Sequence, residues 1–274
     1  MDGSFVSTTI PVVFAACDES YFRKHALGFC KSALRAGHPV HISLTPAPGM
    51  RYLGRAYDLK QTLVPEFLAQ FSTEELHRIK VDVPIDPRAH VEMSELEAVV
   101  YYQSLRFFLL PSLLRKYNRP IVVLDIDSLV MQSIPHRYDA DVGLYLRLDN
   151  EKGNTDYERL GMKVLGAMVY ADPKGVAFFD AVQEYLANNT RRYYVDQRAL
   201  YETFLANNDV RFFDLAETGW LDWTFQPGAT IWTAKGKRKR RNLTYVGERL
   251  RLEGRGPVVS ALILSGYALG VLRT

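Results

Sequence analysis

Cysteine is scarce in this chain: 274 residues contain two, Cys17 and Cys30. Both stand in apolar stretches without metal-ligand spacing, which excludes a zinc site and leaves two reduced, structural thiols. No internal repeat or low-complexity tract divides the sequence, so no domain boundary is marked and residues 1–274 are expected to form one domain. The opening MDGSFVSTTI lacks the basic start and apolar core of a signal peptide, making cytoplasmic residence the expectation. Long apolar runs are also missing. Residues 257–272 come nearest, but they are short for a membrane span and broken by Ser and Gly. A C-terminal core or interface segment is expected there, with peripheral membrane contact as the alternative. Net charge is small, at +3. Six cations, Lys235, Lys237, Arg238, Lys239, Arg240 and Arg241, crowd into one loop, and without them the balance is negative. An anionic partner therefore belongs at that loop, and specific nucleic-acid binding is not expected.

What the chain does have is an ordinary globular composition, 47% hydrophobic and 24% charged, at a length that suits one α/β domain. Residues 10–17 (IPVVFAAC) form a buried-strand pattern, followed by a helix over 21–36 that Gly37 stops and a strand over 39–45. Parallel pairing is the economical reading of that β-α-β unit. Residues 46–59 are expected as loop, 64–79 as helix and 81–85 as a short edge strand. A strongly helical stretch over 94–117 carries Pro111, which should kink it or begin a second helix. Strands are expected at 141–147, 164–171 and 210–215, a loop at 149–162, and helices at 176–187 and 196–205.

The chain is organised around PIVVLDIDSLV, where a β-branched run ends in two aspartates. Read as a central strand through 121–127, it would place Asp125 and Asp127 on one face and Ile126 in the opposite layer. Ligands bind beyond the carboxyl ends of such strands, and two carboxylates there suit Mg²⁺ or Mn²⁺. D-x-D alone is weak, because strand-end aspartates often only cap the next turn.

Three further stretches sharpen the pattern: AACDESYF near the start, YYQSLRFFLLPSLL before VVLDIDSLV, and YYVDQRALYETF further on. Together with the cationic loop, they resemble the GT-A glycosyltransferases, and within them family 8, the glycogenin and galactosyltransferase-like retaining enzymes. The likeness runs from about Val12 to Lys239. It implies a Rossmann-like, mostly parallel central sheet flanked by helices, and transfer of a hexose from a nucleotide-diphosphate sugar, UDP-hexose above all. The acceptor, whether carbohydrate, lipid-linked or protein, stays open.

By position, the resemblance assigns Ala15, Ala16, Asp18 and Tyr21 to the nucleotide pocket, with Tyr102 and Arg106 near the nucleotide. Ala15 and Ala16 read equally well as small strand residues. Asp125, Ile126 and Asp127 match the donor-binding triplet, the two aspartates being the ligands for Mn²⁺ or Mg²⁺. Gly166 and Ala167 fall beside the donor sugar, or reflect tight packing. Asp196 and Gln197 match the pair at the reacting sugar, with a helix cap as the alternative reading. Lys235, Gly236 and Lys237 match the loop that touches the diphosphate. One departure stands out. The family closes its metal site with a C-terminal histidine, whereas the last histidine here is His136 and Thr233 occupies the matching position. Asp222 is one candidate replacement. Two other classes remain: a sugar-phosphate nucleotidyltransferase, which expects a Gly-rich loop where AACDESYF stands, and a non-catalytic binder of nucleotide sugars or anions.

Overall fold

The computed structural model describes residues 10–234, 236 and 242–268. The basic loop therefore lies outside the described residues except for Gly236. In chain order the elements are β1 (Val12–Asp18), α1 (Glu19–Arg35), β2 (Val40–Thr45), α2 (Tyr52–Gln61), α3 (Leu63–Leu68), α4 (Thr73–Leu76), β3 (Ile79–Asp82) and α5 (Glu95–Tyr117). β4 (Ile121–Leu124), β5 (Ser128–Val130), β6 (Val142–Leu146), α6 (Asp156–Gly161), β7 (Val164–Ala171), α7 (Val176–Asn188) and α8 (Val195–Ala206) follow. The chain continues through β8 (Phe212–Asp214), α9 (Leu215–Thr218), β9 (Leu221–Asp222), β10 (Ile231–Thr233), α10 (Leu243–Leu252) and α11 (Pro257–Ala268).

Seven strands form the main sheet in the order β3-β2-β1-β4-β7-β6-β8. Pairing is parallel from β3 through β4 and again between β6 and β8, while β7 runs antiparallel to both its neighbours. The sheet is thus mostly parallel, and both faces are covered. Val13, Ala15 and Cys17 of β1 pack towards α1 and α3, while Val12 and Phe14 pack towards α5, α7 and α8. That alternation is the strand period expressed as two hydrophobic layers. A second sheet, β5-β10-β9, joins α10 around Leu129, Phe225, Trp232 and Tyr245.

Helix boundaries follow local chemistry. The Asp18 carboxylate accepts from the Tyr21 N–H at 2.9 Å and caps α1. At the start of α5, Ser94 and Glu97 form a reciprocal capping box. Pro111 neither kinks α5 into two helices nor ends it. Packing of the flanking Leu110, Leu113 and Leu114 on the sheet holds the helix together, and the Phe108 carbonyl takes a hydrogen bond from Gln183 Nε2 at 2.7 Å.

Several expectations are corrected. The segment expected as loop over 46–59 contains α2, and the helix expected over 64–79 is broken by the Ser72–Glu75 capping box that starts α4. The polar segment after β6 contains α6. The strand at the aspartates ends at Leu124. Asp125 N–H donates to Ala167 O and Ser128 N–H donates to Asp125 O, so residues 125–127 make a tight turn from β4 into β5. Strand alternation is therefore not what brings the two carboxylates together. Finally, α11 is no core segment: none of its residues is buried, and Val258, Val259 and Leu262 are exposed. Among the described residues no helix is long and apolar enough to cross a membrane.

The outer edge of the sheet is clamped by Asp141, which receives Arg211 Nη2 at 2.7 Å and Arg211 Nε and N–H at 3.1 Å each. Those hydrogen bonds hold the Asp141 carboxyl below the usual carboxylate range, against the opposing effect of burial. A carboxylate depressed on folding stabilises above its unfolded value, about 3.9, and loses that contribution as pH falls through the folded value. Asp141→Asn is expected to lower the urea midpoint at pH 7, with the gap to wild type closing below about pH 4; urea titrations over pH 3–7 check this.

Candidate active site

The first, central strands deliver their carboxyl ends to one cavity of about 240 Å³, lined by Ala16, Cys17, Asp18, Tyr21, Tyr102, Gln103, Arg106 and residues 125–127. Three elements build it. β1 supplies Ala16 and runs straight into the Asp18 cap; α5 presents Tyr102 and Arg106 one turn apart; the turn after β4 contributes both aspartates. Burial, with the charge of Asp18 adding to it, pushes the Tyr102 phenol up to about 12.

Arg106 is the centre of charge. It is buried, its Nη1 is ion-paired and hydrogen-bonded to Asp125 Oδ1, and its Nη2 lies 3.7 Å from Asp196 Oδ2. Burial alone would favour the neutral guanidine, but Asp125, Asp196 and Asp127 more than offset it and hold Arg106 charged. The Asp196 carboxyl is pushed up by burial, with Asp125 adding in the same direction against the pull of Arg106. The Arg106 Nε is buried with no hydrogen-bond partner. Gly166 packs closely against this pair: a Cβ there would stand 3.3 Å from both Arg106 Nη2 and Asp196 Oδ2, so either side chain would have to give by a few tenths of an ångström.

The residues singled out from the sequence fall into layers. Asp18, Tyr21, Tyr102, Arg106, Asp125, Ile126 and Asp127 reach the cavity, although most of Ile126 is sunk in the hydrophobic core. Ala16 lines the cavity, whereas Ala15 is fully buried on the opposite face of β1 and does not line it. Gly166, Ala167, Asp196 and Gln197 stand one layer behind. Ala167 is buried and anchors the turn through its carbonyl. Asp196 lies inside the first turn of α8, after Tyr194 at the cap position, and its carboxylate accepts from the backbone N–H groups of that turn. With its amide nitrogen turned to the carbonyls, Gln197 donates to Gly161 O and Val164 O at 2.6 Å each. Lys235 and Lys237 lie outside the described residues, and Gly236 is exposed with φ +56°.

Thr233 pairs across β10 with Ser128, the residue after the turn, and its hydroxyl accepts from Ser128 Oγ at 3.3 Å. The Asp222 carboxylate accepts from Thr224 N–H, Thr224 Oγ1 and Gln226 N–H of its own turn. Among the described residues no group of three or more His, Cys, Asp or Glu could hold a metal ion. Tyr245 of α10 went unnoticed in the sequence: its buried hydroxyl donates to Asp127 O at 2.5 Å, and a lone aromatic on an amphipathic helix carries no signal for that contact.

No family model matches the chain, and neither does any curated protein. Solved structures do. The bifunctional glycosyltransferase WbbM is similar with a TM-score of 0.56 and 14% identity, over 95% of this chain and 52% of that one. The glycosyltransferase GlyE of Streptococcus pneumoniae is similar with a TM-score of 0.53 and 13% identity, over 97% of this chain and 64% of that one. The chain thus spans between half and two thirds of the length of these two proteins. At this identity the likeness establishes the fold, which is the α/β fold of glycosyltransferases.

Arg106→Met keeps a buried stem while stranding Asp196, and is expected to destabilise the fold by about 3–5 kcal/mol. Asp125 is partly exposed and can turn to water, but Asp196 cannot. Adding Asp196→Asn should restore part of the loss, giving a coupling of at least about 1 kcal/mol in a double-mutant cycle. Additive losses in urea unfolding would show that Asp196 does not depend on Arg106.

Proposed function

We propose that the chain transfers a hexose from a nucleotide-diphosphate sugar, UDP-hexose above all, to a hydroxyl acceptor, with retention of configuration in the manner of family 8. The observation that carries this reading is one buried guanidinium shared by Asp125 and Asp196, beside Asp127, in a cavity at the carboxyl ends of β1 and β4. Glycosyl transfer separates charge, leaving a diphosphate anion and an oxocarbenium-like sugar, and rewards groups already fixed in place. Arg106 and the aspartates are fixed by packing and by one another. Tyr21 and Tyr102 offer ring surfaces for the base, and Asp18 an acceptor for the ribose.

Mn²⁺ or Mg²⁺ belongs to this reading. Asp125 and Asp127 line the same cavity, which suits a cation held by two carboxylates and completed by donor and water oxygens rather than by a protein cage. When bound, the cation would supply Lewis-acid stabilisation of the leaving diphosphate, with Lys235 and Lys237 sharing that charge. Asp196 acts by holding Arg106 in register and Gln197 by tying α6 to β7, both therefore positioning the group that meets the donor.

One observation favours a second reading. The Thr233 hydroxyl, in place of a ligating histidine, is already bonded to Ser128, as in a nucleotide-sugar binder that has lost catalysis. Cytoplasmic residence with peripheral contact to an anionic membrane is part of the proposal, supported by the exposed apolar residues of α11 and by the run of cations in the sequence at 235–241. The acceptor class is carbohydrate, lipid-linked or protein.

UDP is expected to bind more tightly with Mn²⁺ than with chelator, and Asp125→Asn and Asp127→Asn should each remove the metal-dependent increment. Calorimetry giving the same affinity in both conditions for wild type would sink the metal site. Hydrolysis of a UDP-hexose panel then separates enzyme from binder. Asp196→Asn should lower that rate by about 10²–10³ fold, whereas wild-type binding without any turnover would favour the degenerate site.

A further inference from the structure

The turn that carries Asp125 and Asp127 is held by two different means. Asp125 is fixed through its side chain, which pairs with Arg106. Asp127 is fixed through its backbone. The peptide unit between Asp127 and Ser128 is bonded at both ends: its N–H donates to Asp125 O at 2.9 Å, and its carbonyl accepts from the Tyr245 hydroxyl at 2.5 Å. A peptide plane anchored at one end only can turn about the soft dihedrals that flank it, and the Cα of Asp127 is one of its two pivots.

Tyr245 is built to deliver that hydroxyl. It is fully buried, and its ring packs against Phe225 with centroids 5.4 Å apart. Phe225 sits at φ +60°, in the left-handed region that a bulky residue rarely adopts, inside a turn shaped by the Asp222 carboxylate through Thr224 and Gln226 N–H. Asn242 Oδ1 accepts from the Tyr245 N–H at 3.0 Å and caps α10, so the ring leaves from a defined first turn. At its other end α10 borders a second, larger cavity, of about 510 Å³, between α1, α3, α10 and α11. Arg249 and Glu253, one and two turns after Tyr245, form its floor, with Arg249 Nε 3.5 Å from Glu253 Oε1 and side chains 12% and 10% exposed. Arg23, Lys24, Glu66 and Arg255 stand around them, so the cavity carries charges of both signs. The Arg249 stem lies close against α1, where a Cβ on Gly28 would come within 2.8 Å of Cγ. Contact with α1 at one end and with the aspartate turn at the other leaves α10 little freedom to slide.

We propose that Tyr245 is a positioning residue of the donor site: it fixes the 127–128 peptide and thereby holds the Asp127 carboxylate where, beside Asp125, it can take a divalent cation together with the donor diphosphate. This role rests on the reading of Asp125 and Asp127 as ligands for Mn²⁺ or Mg²⁺. Backbone that is fixed beforehand need not be ordered by the ligand, and affinity gains by that saving. The sequence ties the same helix to the diphosphate loop, because the cations at 235–241 lead directly into the Asn242 cap.

Calorimetry of UDP on the full chain, run with Mn²⁺ and with chelator, tests the role through the ratio of the two affinities, which a general loosening of the nucleotide pocket leaves unchanged. Tyr245→Phe removes the hydroxyl and keeps the ring; it is expected to cut that ratio about tenfold, a loss of about 1.4 kcal/mol. Phe225→Leu keeps the hydroxyl but loosens the ring that bears it, and should lose a smaller part. Val246→Ala opens a void in the same hydrophobic cluster and should lower the urea midpoint while keeping the ratio. A ratio kept by Tyr245→Phe, or by Phe225→Leu should the first variant not fold, overturns the role. So does an equal fall in Val246→Ala, which would make the effect one of packing. A wild-type ratio of one is a different result: it removes the metal reading itself, and the role with it.

Discussion

The carboxylates of Asp125, Asp196 and Asp127 act on one guanidinium that water hardly reaches, and the buried Asp196 depends on it most. Most of the surrounding structure follows from keeping that charge in place. α5 runs unbroken from Glu95 to Tyr117, and Arg106 on it meets the turn that follows β4. Glycine at 166 in β7 leaves room for α8 to bring Asp196 close to Arg106. The turn after β4 must close on Ala167 O, which fixes Asp125 at the opposite end of the guanidinium. Buried ion pairs contribute little net stability, and their use is to admit few alternative arrangements of the groups they join.

How much of this could be read beforehand depended on whether an element had a local cause. β7 is an uninterrupted apolar octet and was found with its exact bounds, and the capped starts of α1 and α5 were legible to within two residues. The turn at 125–127 was not, because the same letters extend a strand or leave it according to a hydrogen bond that Asp125 N–H donates to Ala167 O of β7, a strand far along the chain. Depth was equally hidden. Asp196 and Gln197 read as a polar pair entering a helix, and nothing in the spacing says that Gly166 lets Asp196 sit behind Arg106. The apolar α11 was expected to be covered, but a sequence that is apolar on all sides does not say which element it meets.

The second cavity illustrates a different limit. Arg249 and Glu253, four residues apart near the end of a helix, have the spacing of an ordinary surface pair. Their burial comes from contact with α1, more than two hundred residues earlier, where Gly28 lets the arginine stem lie against the helix. Long-range packing turned an unremarkable pair into the floor of a chamber. The same helix, α10, carries Tyr245 to the aspartate turn, so it touches both parts of the molecule where polar groups are held out of water.

That last contact bears on how the protein is made. A ribosome releases β1, α5, β4 and β7 in order, and the main sheet has all its strands once residue 214 is out. The carbonyl of Asp127 must wait for Tyr245 to receive its buried donor. A nascent chain therefore owns the strands of its scaffold before that donor reaches the backbone at the aspartates.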